Sequence, residues 1–216
     1  MKAIMFDMDG TLIDSIGGWF GSYKNFLKER NLKETEELRE MFKGKKLFAR
    51  GIVIKEYFNL DMNANEIYAY NLKYVKDGYD TMFEAKENVI DALNYLKYRG
   101  YKISLNTATN IGLCKNCLVR TGLMPYFDYI QTSDGCGFLK DDVRYYEWAV
   151  KNHNEKIDDI IFFDDTLPPL ETAKKVGLNT VLVYDKHTNG DCFYNIDSFD
   201  HKMETISVEN LKKIGL

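Results

Sequence analysis

Hydrophobic and polar positions along the 216-residue chain alternate between two patterns. Short apolar runs stand at Lys2–Met8, Lys102–Asn106, Tyr129–Thr132, Ile160–Phe163 and Thr180–Tyr184. Runs this short, bounded by turn residues, predict strands buried on both faces of a parallel sheet. Between them the apolar spacing becomes helical. Val89, Leu93 and Leu96 lead to Gly100, Leu113–Thr121 leads to Gly122, and Leu170–Val176 leads to Gly177, with a further helix at Tyr145–Asn152. A glycine just past an apolar stripe ends a helix because it takes the left-handed conformation without strain. Strands alternating with helices predict βαβ units, hence an α/β fold with a parallel sheet covered on both faces.

Residues 15–83 break the alternation. They show no strand pattern, only apolar stripes: Trp19, Tyr23, Phe26 and Leu27, then Leu38–Phe42, Ile52–Phe58 and the Tyr-rich Ile67–Val75. The segment is too long for a βα connection and predicts a small α-helical domain inserted after the first strand. Gly17, Gly18 and Gly21 near its start read either as a hinge or as close-packing positions. The tail Lys186–His201 alternates polar and aromatic residues and predicts no element.

Composition narrows the setting. Hydrophobic residues make up 45% and charged residues 29%, an ordinary globular balance, and the net charge of −4 gives no pull toward nucleic acid or an anionic membrane. No apolar run approaches the roughly 18 residues that a membrane span needs. Asp7 and Asp9 interrupt the first run too early for a signal peptide. Four cysteines do not make a disulfide framework, so a reducing, cytoplasmic setting is expected. Cys114 and Cys117 have CxxC spacing, but with no second pair they read as ordinary helix residues. His153, His187 and His201 lack ligand spacing and are expected at the surface.

The strand ends carry the chemistry. The first run closes in Asp7-Met8-Asp9-Gly10-Thr11. Carboxylates two apart on an extended chain point to one side, beyond the carboxyl end of the strand, where open α/β sheets bind ligands. Crowded carboxylates raise one another's pKa unless a cation separates them, and Mg²⁺ suits oxygen ligands and phosphates. The second run ends in Asn106-Thr107-Ala108-Thr109, offering a hydroxyl and amides at a helix start. Lys140 follows the third run, and Asp164-Asp165-Thr166 ends the fourth. Together these supply a carboxylate nucleophile, a metal site, and a lysine with amides for the equatorial oxygens of a phosphoryl group.

The run Asp7-Met8-Asp9-Gly10-Thr11-Leu12-Ile13-Asp14-Ser15 resembles the first motif of the haloacid dehalogenase superfamily, DxDGTLxDS. Thr107, Lys140 and Phe162-Phe163-Asp164-Asp165-Thr166 resemble its second, third and fourth motifs. The resemblance runs from about Lys2 to Tyr184, and the inserted segment is similar to the helical cap of the first subfamily (type C1). It implies a Rossmann-like three-layer core from residues 1–14 and 84–216, with residues 15–83 as the cap. It also implies roles. Asp7 attacks phosphorus and binds metal; Asp9 is the acid and base, and its carbonyl binds Mg²⁺. Thr107 and the Ala108 amide hold the phosphoryl group, and Lys140 neutralises charge. Asp165 ligates metal directly, while Asp164 does so directly or through water. Family members that cleave carbon–halogen bonds lack the second aspartate, so Asp9 disfavours dehalogenation.

The implied activity is Mg²⁺-dependent phosphatase action on a small phosphorylated metabolite. A sugar phosphomutase of the same family is the first alternative. Its branch carries a His and a cap-loop Arg at places that here hold Trp19 and Leu47. A non-enzymatic phospho-accepting switch is the second. Asp141 and Asp142, where relatives carry a proline-containing stretch, are expected to compete for Lys140. The basic run Lys43-Gly44-Lys45-Lys46, with Arg50, either reads an anionic substrate or forms a solvated face.

Overall fold

Each of the five apolar runs forms a strand in the computed structural model, which describes residues 1–42, 45 and 47–216. The chain divides into two compact units, Met1–Asp14 with Phe83–Leu216, and Ser15–Met82.

The first unit is built on strands β1 (Ala3–Phe6), β2 (Lys102–Thr107), β3 (Tyr129–Thr132), β4 (Ile160–Asp164), β5 (Asn179–Val183) and β6 (His201–Met203). All neighbours pair in parallel, in the order β3-β2-β1-β4-β5-β6. All four residues of β1 are fully buried, as a central strand covered on both faces requires. This strand is shorter than the predicted Lys2–Met8. Pairing beyond Phe6 is reduced to the Asp7 amide donating to the Phe163 carbonyl at 2.9 Å, and the chain then turns through Gly10. The sixth strand, unpredicted, begins at His201, where the tail without a predicted element ends; there the Tyr184 amide also donates to the Met203 carbonyl.

Helices connect these strands, most of them carrying buried apolar residues. The α/β helices are α5 (Val89–Tyr98), α6 (Ile111–Arg120), the short α7 (Ser133–Cys136), α8 (Val143–His153), α9 (Leu167–Val176) and α10 (Val208–Lys213), the labels counting on from the four helices of the other unit. Gly177 (φ 100°) closes α9 as predicted. His153, expected at the surface, is buried at the last turn of α8. Its Nε2 lies 2.7 Å from the Ser104 hydroxyl and its ring meets Tyr129 edge-on.

The second unit consists of α1 (Ile16–Glu29), α2 (Glu36–Phe42), α3 (Leu47–Phe58) and α4 (Ala64–Thr81). Its core joins Tyr23, Phe26, Leu38, Phe42, Ile54 and Ile67, the residues of the predicted stripes. Asn63 starts α4 with a capping box, accepting from the Glu66 amide while the Glu66 carboxylate accepts from the Asn63 amide. A side chain at Gly21 would meet open space, so close packing does not require glycine there. Of the basic run, Lys43, Gly44 and Lys46 lie outside the described residues. The Arg50 guanidinium sits over the rings of Phe20, Tyr23 and Phe42, and its Nε donates to the Lys45 carbonyl at 2.8 Å.

Candidate active site

Strands β1 and β4 are neighbours in register, with Phe6 opposite Phe163, so the residues following each arrive side by side at the carboxyl end of the sheet. Asp7, Asp164 and Asp165 each bring a carboxylate oxygen within 4.8 Å of the others, and all three side chains are buried. Lys140 enters from the loop before α8 and bridges two of them, donating to Asp7 Oδ1 at 2.7 Å and Asp164 Oδ2 at 2.5 Å.

The second oxygen of Asp164 is also engaged, accepting from the Thr166 amide (2.7 Å) and hydroxyl (2.5 Å). Asp165 differs. Its Oδ1 accepts from the Thr11 hydroxyl at 3.3 Å, while its buried Oδ2 has no hydrogen-bond partner among the described residues. Gly10, at φ +80°, passes directly against this carboxylate, and a Cβ there would come within 2.6 Å of Asp165 Cγ. Glycine is required on both counts, conformation and space.

Burial pushes the Asp7 carboxyl well above its ordinary range. Lys140 opposes that shift, and Asp164, Asp165 and Asp9 reinforce it. Asp165 is pushed up to about 7, by burial first and by Asp164 second. Burial would deprotonate Lys140, but Asp164 and Asp7 outweigh it and hold the ammonium charged. One lysine cannot balance three carboxylates, and the cluster is short of positive charge. An orphaned buried oxygen among three carboxylates is a donor set suited to a hard divalent cation, so these residues fit Mg²⁺.

Asp9 is not in that cluster. Its Oδ2 accepts from the Thr109 hydroxyl at 2.6 Å, which ties it to the loop after β2. Thr107 Oγ1 accepts from the Thr109 amide at 3.1 Å, and the Ala108 amide has no acceptor among the described residues. Asp142 does not compete for Lys140. It accepts from the Arg144 side chain and amide and caps α8. Thr11, Thr109 and Thr166, which orient the carboxylates, went unassigned in the sequence; the signal for Thr166 is its place directly after the acidic pair Asp164-Asp165. The buried thiols of Cys114 and Cys117 are free, burial pushing the first far up and the second to about 11, which leaves both unreactive.

The geometry joins a parallel sheet to a buried triad of carboxylates bridged by a lysine, and comparison with known proteins agrees. The model of the haloacid dehalogenase-like hydrolase family matches residues 4–183, and the chain belongs to that family. The phosphatases among its relatives place it with the phosphoric monoester hydrolases. One relative is the "Phosphorylated carbohydrates phosphatase" of Thermotoga maritima, 23% identical over 181 residues covering 84% of each chain. Among solved structures, one provisionally assigned as a beta-phosphoglucomutase of Thermotoga maritima has a TM-score of 0.85 at 22% identity, covering 100% of both chains. A hydrolase of Bacillus subtilis crystallised bound to magnesium has a TM-score of 0.78 at 15% identity, covering 99% of this chain and 97% of that one. These two likenesses show a shared fold. Among the described residues no helix is long and apolar enough to cross a membrane.

Proposed function

We propose that the chain hydrolyses the phosphate monoester of a small phosphorylated metabolite, with Asp7 as nucleophile and Mg²⁺ as cofactor. The observation that carries this reading is the buried triad Asp7, Asp164 and Asp165, bridged by Lys140 and left with an unpartnered oxygen on Asp165.

Asp7, Asp165 and the Asp9 carbonyl would hold the Mg²⁺, with Asp164 reaching it directly or through water. Bound there, Mg²⁺ supplies charge neutralisation between nucleophile and phosphate. A carboxylate oxygen of Asp7 attacks phosphorus and the bond to the substrate oxygen breaks. Asp9, held by Thr109, gives its proton to that leaving oxygen. Asp9 then takes a proton from water, whose oxygen attacks the aspartyl-phosphate, releasing inorganic phosphate and restoring Asp7. Thr107 and the Ala108 amide hold the transferring oxygens, and Lys140 offsets their charge throughout. The helical unit serves as the cap. The name of the Thermotoga maritima relative favours phosphorylated carbohydrates as the substrate class.

A phosphomutase would share every step through the aspartyl-phosphate but return the phosphoryl group to product. The fold shared with the phosphoglucomutase-like structure favours it as the second reading. Phosphate release from a panel of sugar phosphates, with and without Mg²⁺, separates the two. Metal-dependent release that falls by about 10³-fold or more in Asp7→Asn is expected. Isomerised product without released phosphate would mean a mutase, and an Asp7→Asn variant with near-normal turnover would remove the covalent step.

A further inference from the structure

Lys86 and the segment Tyr184–Asn189 belong to none of the motifs above, yet they tie the two halves of the acidic centre together. The Lys86 amide donates to the Leu12 carbonyl at 2.8 Å, and Ile13 bridges Ala85, so the residue runs beside the turn that follows Asp9. Its ammonium donates to the Gly10 carbonyl, to the Tyr184 carbonyl at 3.1 Å, and to Asp185 Oδ2 at 2.9 Å. Asp185 is buried, and its Oδ1 accepts from the His187 amide at 2.8 Å. The Asp185 amide donates to Asn189 Oδ1, and the buried Asn189 Nδ2 donates to the Val183 carbonyl at 2.9 Å and the Asp165 carbonyl at 2.7 Å. One path therefore joins Gly10 to Asp165, the pair already pressed into contact on their other side.

The oxygens around the Lys86 ammonium, two backbone carbonyls and one carboxylate, are the kind that bind an alkali cation. Stability alone would need only the Lys86–Asp185 pair, since a buried carboxylate without a counter-charge is costly. The added hold on Gly10 and, through Asn189, on Asp165 acts on the residues that place the triad.

We infer that Lys86 is a built-in monovalent cation which, with Asp185 and Asn189, positions the acidic centre by fixing the Gly10 turn against Asp165. These are positioning residues, touching neither substrate nor metal. The inference rests on the reading of the triad as a Mg²⁺-dependent phosphatase site, and its first readout does not depend on turnover.

The test is Lys86→Ala, followed by Mg²⁺ titration calorimetry, thermal melting, and kcat and KM for a cleaved sugar phosphate. Residues that hold metal ligands in place typically carry about 10–100-fold in affinity or activity. Mg²⁺ affinity and kcat are expected to fall by about that factor while KM changes little. Methylammonium or K⁺ should restore both, since a cavity of about 340 Å³ bordered by Thr11, Asp14, Lys86, Tyr184 and Asp185 gives a small cation access. A folded Lys86→Ala with unchanged Mg²⁺ affinity overturns the inference, as do losses that follow the melting temperature and ignore added cation. Should Lys86→Ala fail to fold, Asn189→Ala, which keeps the ion pair, carries the test: weakened Mg²⁺ binding is expected, and unchanged binding overturns it. Wild type that binds Mg²⁺ but cleaves no ester would sink the phosphatase reading while the Mg²⁺ titrations still decide this one.

Discussion

In the α/β unit the buried polar side chains include charged ones at the acidic centre, Asp7, Lys140, Asp164 and Asp165. In the helical unit they are Ser15, Ser22 and Asn71, all neutral, and the core around Phe26 is apolar and aromatic. Burying like charges together costs free energy that packing the same volume with hydrocarbon would not. The first unit accepts that cost at one place, where a cation and a phosphate would relieve it. The second shows no such cost among its described residues. Substitutions in the two should therefore separate: stability in one, chemistry in the other.

The largest effect expected is on stability, in the helical unit. Phe26 is fully buried, meets Tyr70 edge-on at 5.2 Å, and lies under the Arg30 guanidinium at 3.9 Å. Phe26→Ala should cost about 3–5 kcal/mol in denaturant unfolding and leave Mg²⁺ affinity unchanged. A matching loss of Mg²⁺ binding in the folded variant would erase the contrast. Gly10→Ala should strike the chemistry first. A Cβ there collides with Asp165, and kcat should fall by about 10²-fold, equivalent to about 2.7 kcal/mol. The positive φ adds about 1–2 kcal/mol of strain to the folded state.

The third prediction concerns a neutral buried group in the α/β unit. Burial, aided by the Lys102 ammonium and opposed by Asp128 and Glu155, pushes His153 down to about 4. The unfolded chain takes up this proton near pH 6.5, the folded chain only near 4, so between those values the unfolded state binds more protons. The His153 contribution is complete above about pH 6.5 and is lost as pH falls toward 4; the full shift corresponds to about 3 kcal/mol, which solvent screening of the partly buried ring reduces to about 2 kcal/mol. Unfolding measured across that window should be flatter in His153→Gln; an unchanged slope would mean the imidazole already shares its proton with solvent. The smallest effect is Asn63→Ala, which removes one cap of α4 and should cost about 1 kcal/mol, read from the same unfolding curves.

The site was more legible in sequence than the structure supporting it. Asp7, Lys140, Asp164 and Asp165 could be placed because strand ends and acidic pairs are local patterns, and the parallel sheet then carries them to one edge. His153 was misread because its burial depends on Ser104, 49 positions away, which spacing along α8 does not reveal. Strand β6 was missed because its three residues, His201, Lys202 and Met203, lie at the sheet edge and need no apolar run. The link from Lys86 to Asp185 spans 99 positions and leaves no periodic trace.

The central position of β1 has a further consequence for biosynthesis. Ala3 registers with both Lys102 and Ile160, so β1, made before either neighbour, cannot be flanked on both sides until β4 has been synthesised. At about 5–20 residues per second, Ala3–Phe6 waits on the order of ten seconds or more after leaving the ribosome. A nascent chain halted before β4 therefore presents β1 with an open edge, a target for chaperones and a seed for aggregation.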